Sequence, residues 1–168
     1  MTCIKSDFPS VQHRLRKCSS VLALVFAAVV GLLSTAKAFG QEIPQPRLPT
    51  VLLQAGLHQI TAEVARTPQQ QQIGMMMRTQ MAQHEGMLFV FDDVSARCFW
   101  MKNTLLPLSI AFIADDGTIV NLADMQPRSE ASHCSTKPVR FALEMNQGWF
   151  GKRGIQAGYR LKGGPFSP

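Results

Sequence analysis

One stretch of the sequence, running from Cys98 to Ile113, constrains the fold more than any other. It reads CFWMKNTLLPLSIAFI: a strand-like aromatic run that ends in a cation, an amide and a hydroxyl, then a turn marked by Pro107, then a strongly apolar strand. Strict alternation gives the first strand a facing side and a core side, which hold Cys98, Trp100 and Lys102 on the one and Phe99 and Met101 on the other. Two such strands favour a β-rich domain, and the polar side chains at the end of the first one indicate a site.

Strand-like patterns recur along the rest of the chain. Besides 97–102 and 108–114 they cover residues 58–65, 87–91, 118–122, 139–145 and 155–161, while 51–57 fits either a first strand or part of an arm. Asp116-Gly117 between two of these runs is a strong hairpin signal.

Two helical segments complete the prediction. Thr67-Pro68 begins a helix well, since Thr caps and Pro fits the first turn, and this helix is predicted to run to about Arg78. A short second helix is predicted from Asn146 to Arg153. The fold class is therefore α+β and β-rich: a compact small mixed or antiparallel sheet, or a partly closed barrel, with one helix packed against it and a short second helix.

The first 38 residues have the organisation of a secretory signal peptide. A basic segment precedes an apolar run from Val21 to Leu33 (VLALVFAAVVGLL), and Ala36-Lys37-Ala38 supplies small residues for cleavage after about Ala38. The run is shorter than the roughly 20 residues of a membrane span. We therefore expect a periplasmic or secreted protein that meets the membrane only transiently, with an inner-membrane anchor formed by this run as the alternative.

The signal peptide also fixes the rest of the domain plan. We expect a Pro-containing linker or arm over residues 39–57, a single globular domain over 58–162 and a flexible tail over 163–168. The whole chain has a formal net charge of +6, but five of its Lys and Arg residues and one acid lie in the first 38 residues. The remainder has a net charge of 6 − 4 = +2, which gives no reason to expect nucleic-acid binding.

Two cysteines remain after cleavage, Cys98 and Cys134. An even pair in an oxidising compartment favours a structural disulfide. A metal or redox pair is the alternative, although the spacing is not that of a C-x-x-C motif. The sequence has no Walker loop, dinucleotide fingerprint or H-E-x-x-H zinc motif, so we expect no cofactor and no metal centre.

Several ordered blocks resemble an uncharacterised prokaryotic family, domain of unknown function 192. The blocks are 74–78 (GMMMR), 85–91 (EGMLFVF), 99–104 (FWMKNT) with 106–108 (LPL), 111–113 (AFI), 116–117, 119–120, 142–144 (ALE), Gly148 and Gly154. The resemblance covers about residues 60–161, and Met75 stands where the family usually has Leu. It implies a compact, mainly β fold with a helix packed against it, and it implies no activity, cofactor or catalytic residue.

The candidate ligand-binding residues are Trp100, Lys102, Asn103, Thr104, Arg78, Arg140 and Glu144. A Trp face beside Lys, Asn and Thr can stack on a ring and bind its substituents by hydrogen bonds. Alternatively, Asn103 and Thr104 simply form a turn before Pro107. The charged residues either form a rim of the same pocket or make surface ion pairs worth less than about 1 kcal/mol.

These observations favour an exported envelope protein that binds a small molecule or an envelope polymer, or that serves as an accessory module. One alternative is a hydrolase-like enzyme that uses Glu144 or Asp124 as acid or base. The other is a structural or partner-binding envelope protein. The two acids within reach of Lys102 in a concave pocket would favour the enzyme, and their separation onto opposite faces would count against it.

Overall fold

A seven-stranded mixed sheet forms the body of the protein in residues 43–166, the part of the chain that this computed structural model describes. The strands are β1 (Thr50–Ala55), β2 (His58–Ala65), β3 (Glu85–Ser95), β4 (Cys98–Phe99), β5 (Leu108–Ile113), β6 (Ile119–Met125), β7 (His133–Cys134), β8 (Val139–Asn146) and β9 (Lys162–Gly163). The sheet has the order β6-β5-β8-β3-β2-β1-β9, while β4 and β7 form a separate two-stranded ladder. Only β2 and β3 pair in parallel. The prediction of a β-rich fold is confirmed.

The C-terminal segment joins the two ends of this sheet and curls it into a half barrel. Arg160 forms an antiparallel bridge with Thr118, just before β6, and Leu161 donates to the carbonyl of Gly117 at 2.9 Å. Directly after Leu161, β9 pairs with β1 at the other edge. The predicted last strand over 155–161 is therefore wrong in its limits, because that segment makes a turn at Ala157 and Gly158 and a single bridge at Arg160, and the strand itself begins at Lys162.

Both faces of the sheet are buried. One face packs against the C-terminal segment, with Trp149, Phe150, Ile155 and Phe166 over Leu88, Ala111 and Leu143. The other face packs against the residues that follow the helix and those around β4, with Met75 and Met101 over Phe89, Ile110 and Ala142. We call these the first and second core. Since each strand alternates between them, both of its sides carry buried positions.

The helix, α1, spans only Pro68–Ile73, so its predicted extension to Arg78 is wrong. It begins with a capping box between Thr67 and Gln70, as the Thr-Pro pair indicated. It ends because Gly74 has φ 50° and ψ −128°, a conformation that favours glycine. The predicted second helix is a 3-10 turn over Gly151–Arg153 that Gly154 closes in a left-handed conformation.

The folded region extends beyond the predicted domain limits at both ends. β1 begins at Thr50, inside the segment assigned to the arm. Gln45 is buried and its amide donates to the carbonyl of Gly74 at 2.8 Å. At the other end Phe166 is buried against Phe141, in the segment assigned to the tail. The signal peptide and its apolar run lie outside the described residues, and within 43–166 no helix is long and apolar enough to cross a membrane.

Candidate functional site

A cavity of about 360 Å³ lies on the second-core side of the sheet, between the end of α1 and β4. Its walls are mostly aromatic and aliphatic, with contributions from Met75, Met76, Phe89, Phe91, Phe99 and Trp100. The polar side chains of Gln71, Gln72, Arg97, Thr104 and Glu144 also line it. A concave, largely apolar space with a few polar groups is the usual form of a small-molecule site.

Glu144 is the unusual member of this lining. It lies in the middle of β8, between Met87 of β3 and Ile110 of β5, and only 4% of its surface is exposed. Its Oε2 atom is fully buried and has no hydrogen-bond partner among the described residues. Burial raises the pKa of the Glu144 carboxyl to about 8, because the charged form loses its hydration without gaining a partner.

A second buried acid, Glu63, lies in the same row of the sheet and has the opposite environment. Strand register places Glu63 beside Met87, and Met87 beside Glu144. Both carboxylate oxygens of Glu63 accept hydrogen bonds from the Arg78 guanidinium, at 2.9 and 2.8 Å, and Arg47 adds a contact at 2.7 Å. The two acids lie about 10 Å apart, two strand spacings. Glu63 is fully paired, whereas the Oε2 atom of Glu144 has no partner in the described part of the chain.

The short β4–β7 ladder borders the cavity, because Cys98 and Phe99 of β4 line it. Cys98 lies directly opposite Cys134 in that ladder, and the two are joined by a disulfide, as predicted. Next to them, the Arg97 guanidinium stacks over the Phe91 ring at 4.0 Å and pairs with Asp93 at 2.6 Å. Phe99 packs edge-to-face against Phe89, with ring centroids 4.9 Å apart, so the aromatic wall continues into the second core.

The family model for domain of unknown function 192 (DUF192), described as "Uncharacterized ACR", matches residues 50–163. That range contains the whole sheet and the cavity. The chain belongs to the DUF192 family. The sequence blocks that indicated this resemblance lie largely around the site, since 74–78 follows α1, 85–91 lies in β3, and 99–104 follows β4.

Two solved structures resemble this DUF192 domain. One is a crystal structure of a candidate transcription regulator from Sinorhizobium meliloti 1021, with 39% sequence identity and a TM-score of 0.68 over 73% of this chain and 99% of that one. The other is a protein of unknown function from Novosphingobium aromaticivorans DSM 12444, with 31% identity and a TM-score of 0.65 over 77% of this chain and 96% of that one. A search of curated proteins returns no significant match.

The structure places the four residues of the DUF192 motif in different roles. Trp100 and Thr104 both line the cavity; Trp100 is half exposed and Thr104 is buried. Lys102 does not line it, but its Nζ lies 5.3 Å from the centroid of the Trp100 ring. Asn103 is exposed and has φ 58°, and its carbonyl accepts from the amide of Met77 at 2.9 Å. Asn103 thus belongs to a turn, as the alternative interpretation had it.

The two predicted arginines do not reach the cavity. Arg78 is buried on Glu63. Arg140 lies two residues from Ala142 on the second-core side of β8, but it turns outward and pairs with Asp115 at 3.1 Å. Of the three residues weighed for a charged rim, Arg78, Arg140 and Glu144, only Glu144 lines this cavity.

The two acids of the enzyme hypothesis lie on opposite faces of the sheet. Asp124 pairs in register with Ser109, whose other neighbour is Met145 of the first core, and it accepts a hydrogen bond from the Ser109 hydroxyl. Glu144 faces the second core. This separation onto opposite faces counts against the hydrolase alternative, which would use Glu144 or Asp124 as acid or base.

The sequence reasoning missed the aromatic wall and the second half of the buried ion pair. Phe89 and Phe91 read only as members of a buried strand, although their i, i+2 spacing places both on one face. Alternation assigned Glu63 to the polar side of β2 together with Thr61 and Ala65. Those residue types fit a solvent-exposed face and a second buried face equally well.

Proposed function

We propose that this DUF192 domain is a ligand-binding module whose ligand occupies the cavity beneath Trp100 and reaches Glu144. The single observation that carries the proposal is the Glu144 carboxyl, which lines an aromatic cavity and whose buried Oε2 atom has no hydrogen-bond partner within residues 43–166. A buried polar group without a partner costs free energy in the empty state. A ligand that supplies the missing hydrogen bond recovers part of that cost on binding.

The dimensions and walls of the cavity support a small organic ligand. A volume of about 360 Å³ lies at the lower end of the range for small-molecule sites, roughly 300–1,000 Å³. Aromatic rings on several sides favour a flat, apolar body, since ring pairs add roughly 0.5–1.5 kcal/mol to the burial of area. Met75 and Met76 can adjust to its shape because Met is flexible.

The test is ligand-observed NMR on the oxidised full chain with a panel of single-ring fragments that carry an amine, amide, hydroxyl or carboxylate group. We expect at least one fragment to bind saturably, and Trp100→Ala to weaken it by roughly threefold to tenfold, the equivalent of about 0.6–1.4 kcal/mol for one aromatic contact. Leu57→Ala is the control, because Leu57 is 99% exposed and does not line the cavity.

Two results would contradict the proposal. One is an absence of saturable binding across the panel. The other is binding that both Trp100→Ala and Glu144→Gln leave unchanged. Urea unfolding of each variant shows that a lost signal reflects the site and not a lost fold.

Export to the periplasm or beyond is the second part of the proposal. The apolar run from Val21 to Leu33, the small residues before position 39 and the Cys98–Cys134 disulfide support it. Expression in a Gram-negative host, followed by fractionation and N-terminal sequencing, should give a soluble periplasmic form that begins near Phe39. An intact chain in the membrane fraction would support the anchor alternative instead.

A further inference from the structure

We infer that the ligand is a small, flat organic cation whose N–H groups donate to the Glu144 carboxylate, as an amidinium, a guanidinium or a primary ammonium group does. This inference rests on the proposed function and specifies the chemical class of the ligand. Two features of the structure support it. The two buried acids of one sheet row have opposite environments, and aromatic rings near the cavity already hold cations.

Glu63 shows what this environment requires of a carboxylate. It is as buried as Glu144, at 4% exposure, and it is accommodated by a bidentate guanidinium from Arg78. Charge-assisted, two-pronged pairs of this kind are the strong form of a carboxylate contact. Glu144 lies in the same row and the same core, but no guanidinium of the described residues pairs with it. A cationic group with two N–H donors would complete it in the same way.

The aromatic side chains around the cavity already carry two cations on their faces. Arg97 stacks over Phe91 at 4.0 Å and Lys102 lies over Trp100 at 5.3 Å. A cation within about 6 Å of a ring centroid is attracted by the ring quadrupole. The rings that continue inward toward Glu144 offer the same attraction to a cation brought by a ligand.

The fixed charges near the mouth leave room for such a cation. Asp93 neutralises Arg97 at 2.6 Å, and the Glu63–Arg78 pair along the row balances itself. Arg140, on the same strand as Glu144, pairs with Asp115. Lys102 forms no salt bridge within residues 43–166. Of these charges, it alone would favour an anionic ligand over a cationic one.

A cation that binds here must displace a proton. With a pKa of about 8, the Glu144 carboxyl is about one-tenth ionised at pH 7 and about nine-tenths at pH 9. The apparent dissociation constant scales inversely with the competent fraction. Affinity for a permanently charged cation should therefore rise about tenfold from pH 7 to pH 9, and binding at pH 7 should release about 0.9 of a proton from Glu144 to the buffer.

Three isosteric probes separate the charge states of the ligand: benzamidine (cation), benzamide (neutral) and benzoate (anion). Titration calorimetry on the oxidised full chain at pH 7 and pH 9 should rank benzamidine first. Titrations in two buffers of different ionisation enthalpy should show the proton release. Glu144→Gln should abolish the preference for benzamidine and the pH dependence while benzamide still binds, and Glu130→Gln, an exposed Glu, should change neither.

The outcomes distinguish this inference from the proposed function. If benzamide or benzoate binds as tightly as benzamidine in a Trp100-dependent way, the cavity is a ligand site and the cation assignment is wrong. Preference for benzoate would assign the site to anions held by Lys102 and Arg97. If none of the three binds and the fragment panel also fails, the binding function itself is wrong.

Discussion

Titration of the buried Glu144 carboxyl should make this protein less stable as the pH rises from 5 to 8. In the folded state its pKa is about 8, against an ordinary value of 4.5. Between these values the folded carboxyl keeps a proton that the unfolded one has released. Because the folded state then binds more protons, the free energy of unfolding falls with rising pH. This contribution is fully present below about pH 4.5 and is lost as the pH rises through the folded pKa.

The magnitude follows from the size of the shift. Each pH unit between the two pKa values is worth about 1.4 kcal/mol, so Glu144 alone should lower the stability by about 3–4 kcal/mol between pH 5 and pH 8. Glu144→Gln removes the titrating group and should remove this slope. Glu130→Gln, on the exposed surface, should leave it in place.

The assay is urea unfolding of the oxidised protein at pH 5, 6, 7 and 8, followed by the fluorescence of the buried Trp149. The difference between wild type and Glu144→Gln at each pH isolates Glu144, since other groups titrate alike in both proteins. Parallel curves across this range would refute the reasoning, because they would mean that Glu144 ionises in the folded state without cost.

Three further predictions concern stability and use the same unfolding assay. Arg78→Met should cost about 3–5 kcal/mol because it leaves a buried carboxylate with only an exposed partner, whereas Arg47→Met, whose side chain is 59% exposed, should cost less than about 1 kcal/mol; equal losses would contradict the assignment of the pair. Replacing both cysteines of the disulfide by Ser should cost about 4 kcal/mol, since the bond closes a loop with a sequence separation of 36; a loss below about 1 kcal/mol would mean that the loop is held by other contacts. Gly86→Ala should cost about 1–3 kcal/mol, because the new Cβ would lie 2.6 Å from the carbonyl oxygen of Glu144, while Gly151→Ala meets nothing within 4 Å and should stay within about 0.5 kcal/mol; equal effects would show that the sheet yields at Gly86.

Local patterns located most strands and the start of the helix, but not where elements end. Thr67-Pro68 began α1 as expected because a cap and a first-turn Pro act within a few residues. The end of α1 depended on Gly74, which also packs its Cα against Phe89: a Cβ there would meet that ring at 3.2 Å. The strand predicted over 97–102 stops at Phe99, since Thr104 bonds back to the carbonyl of Met101 at 2.9 Å and turns the chain.

The site residues were likewise predictable only in part. Alternation placed Glu144 and Ala142 together on one side of β8, and it placed Trp100 away from Met101. It did not show whether that side of β8 met solvent or a second core. Alternation also could not show which acid each arginine pairs with, because Arg78 pairs with Glu63 and Arg140 with Asp115 across sequence separations of 15 and 25 residues.

By itself, the sequence determined the family and the strand-rich class, because these depend on residue order. It favoured a disulfide between Cys98 and Cys134, the only two cysteines beyond the predicted signal peptide, and the structure shows that bond. Only the tertiary structure decided which acid is paired. The curled sheet is covered on both faces, so the middle of the polar side of β8, at Ala142 and Glu144, is buried as well. In this row Glu63 pairs with Arg78, whereas Glu144 lines a cavity. That difference depends on long-range packing, because the partners of both acids come from distant parts of the sequence or are absent from residues 43–166.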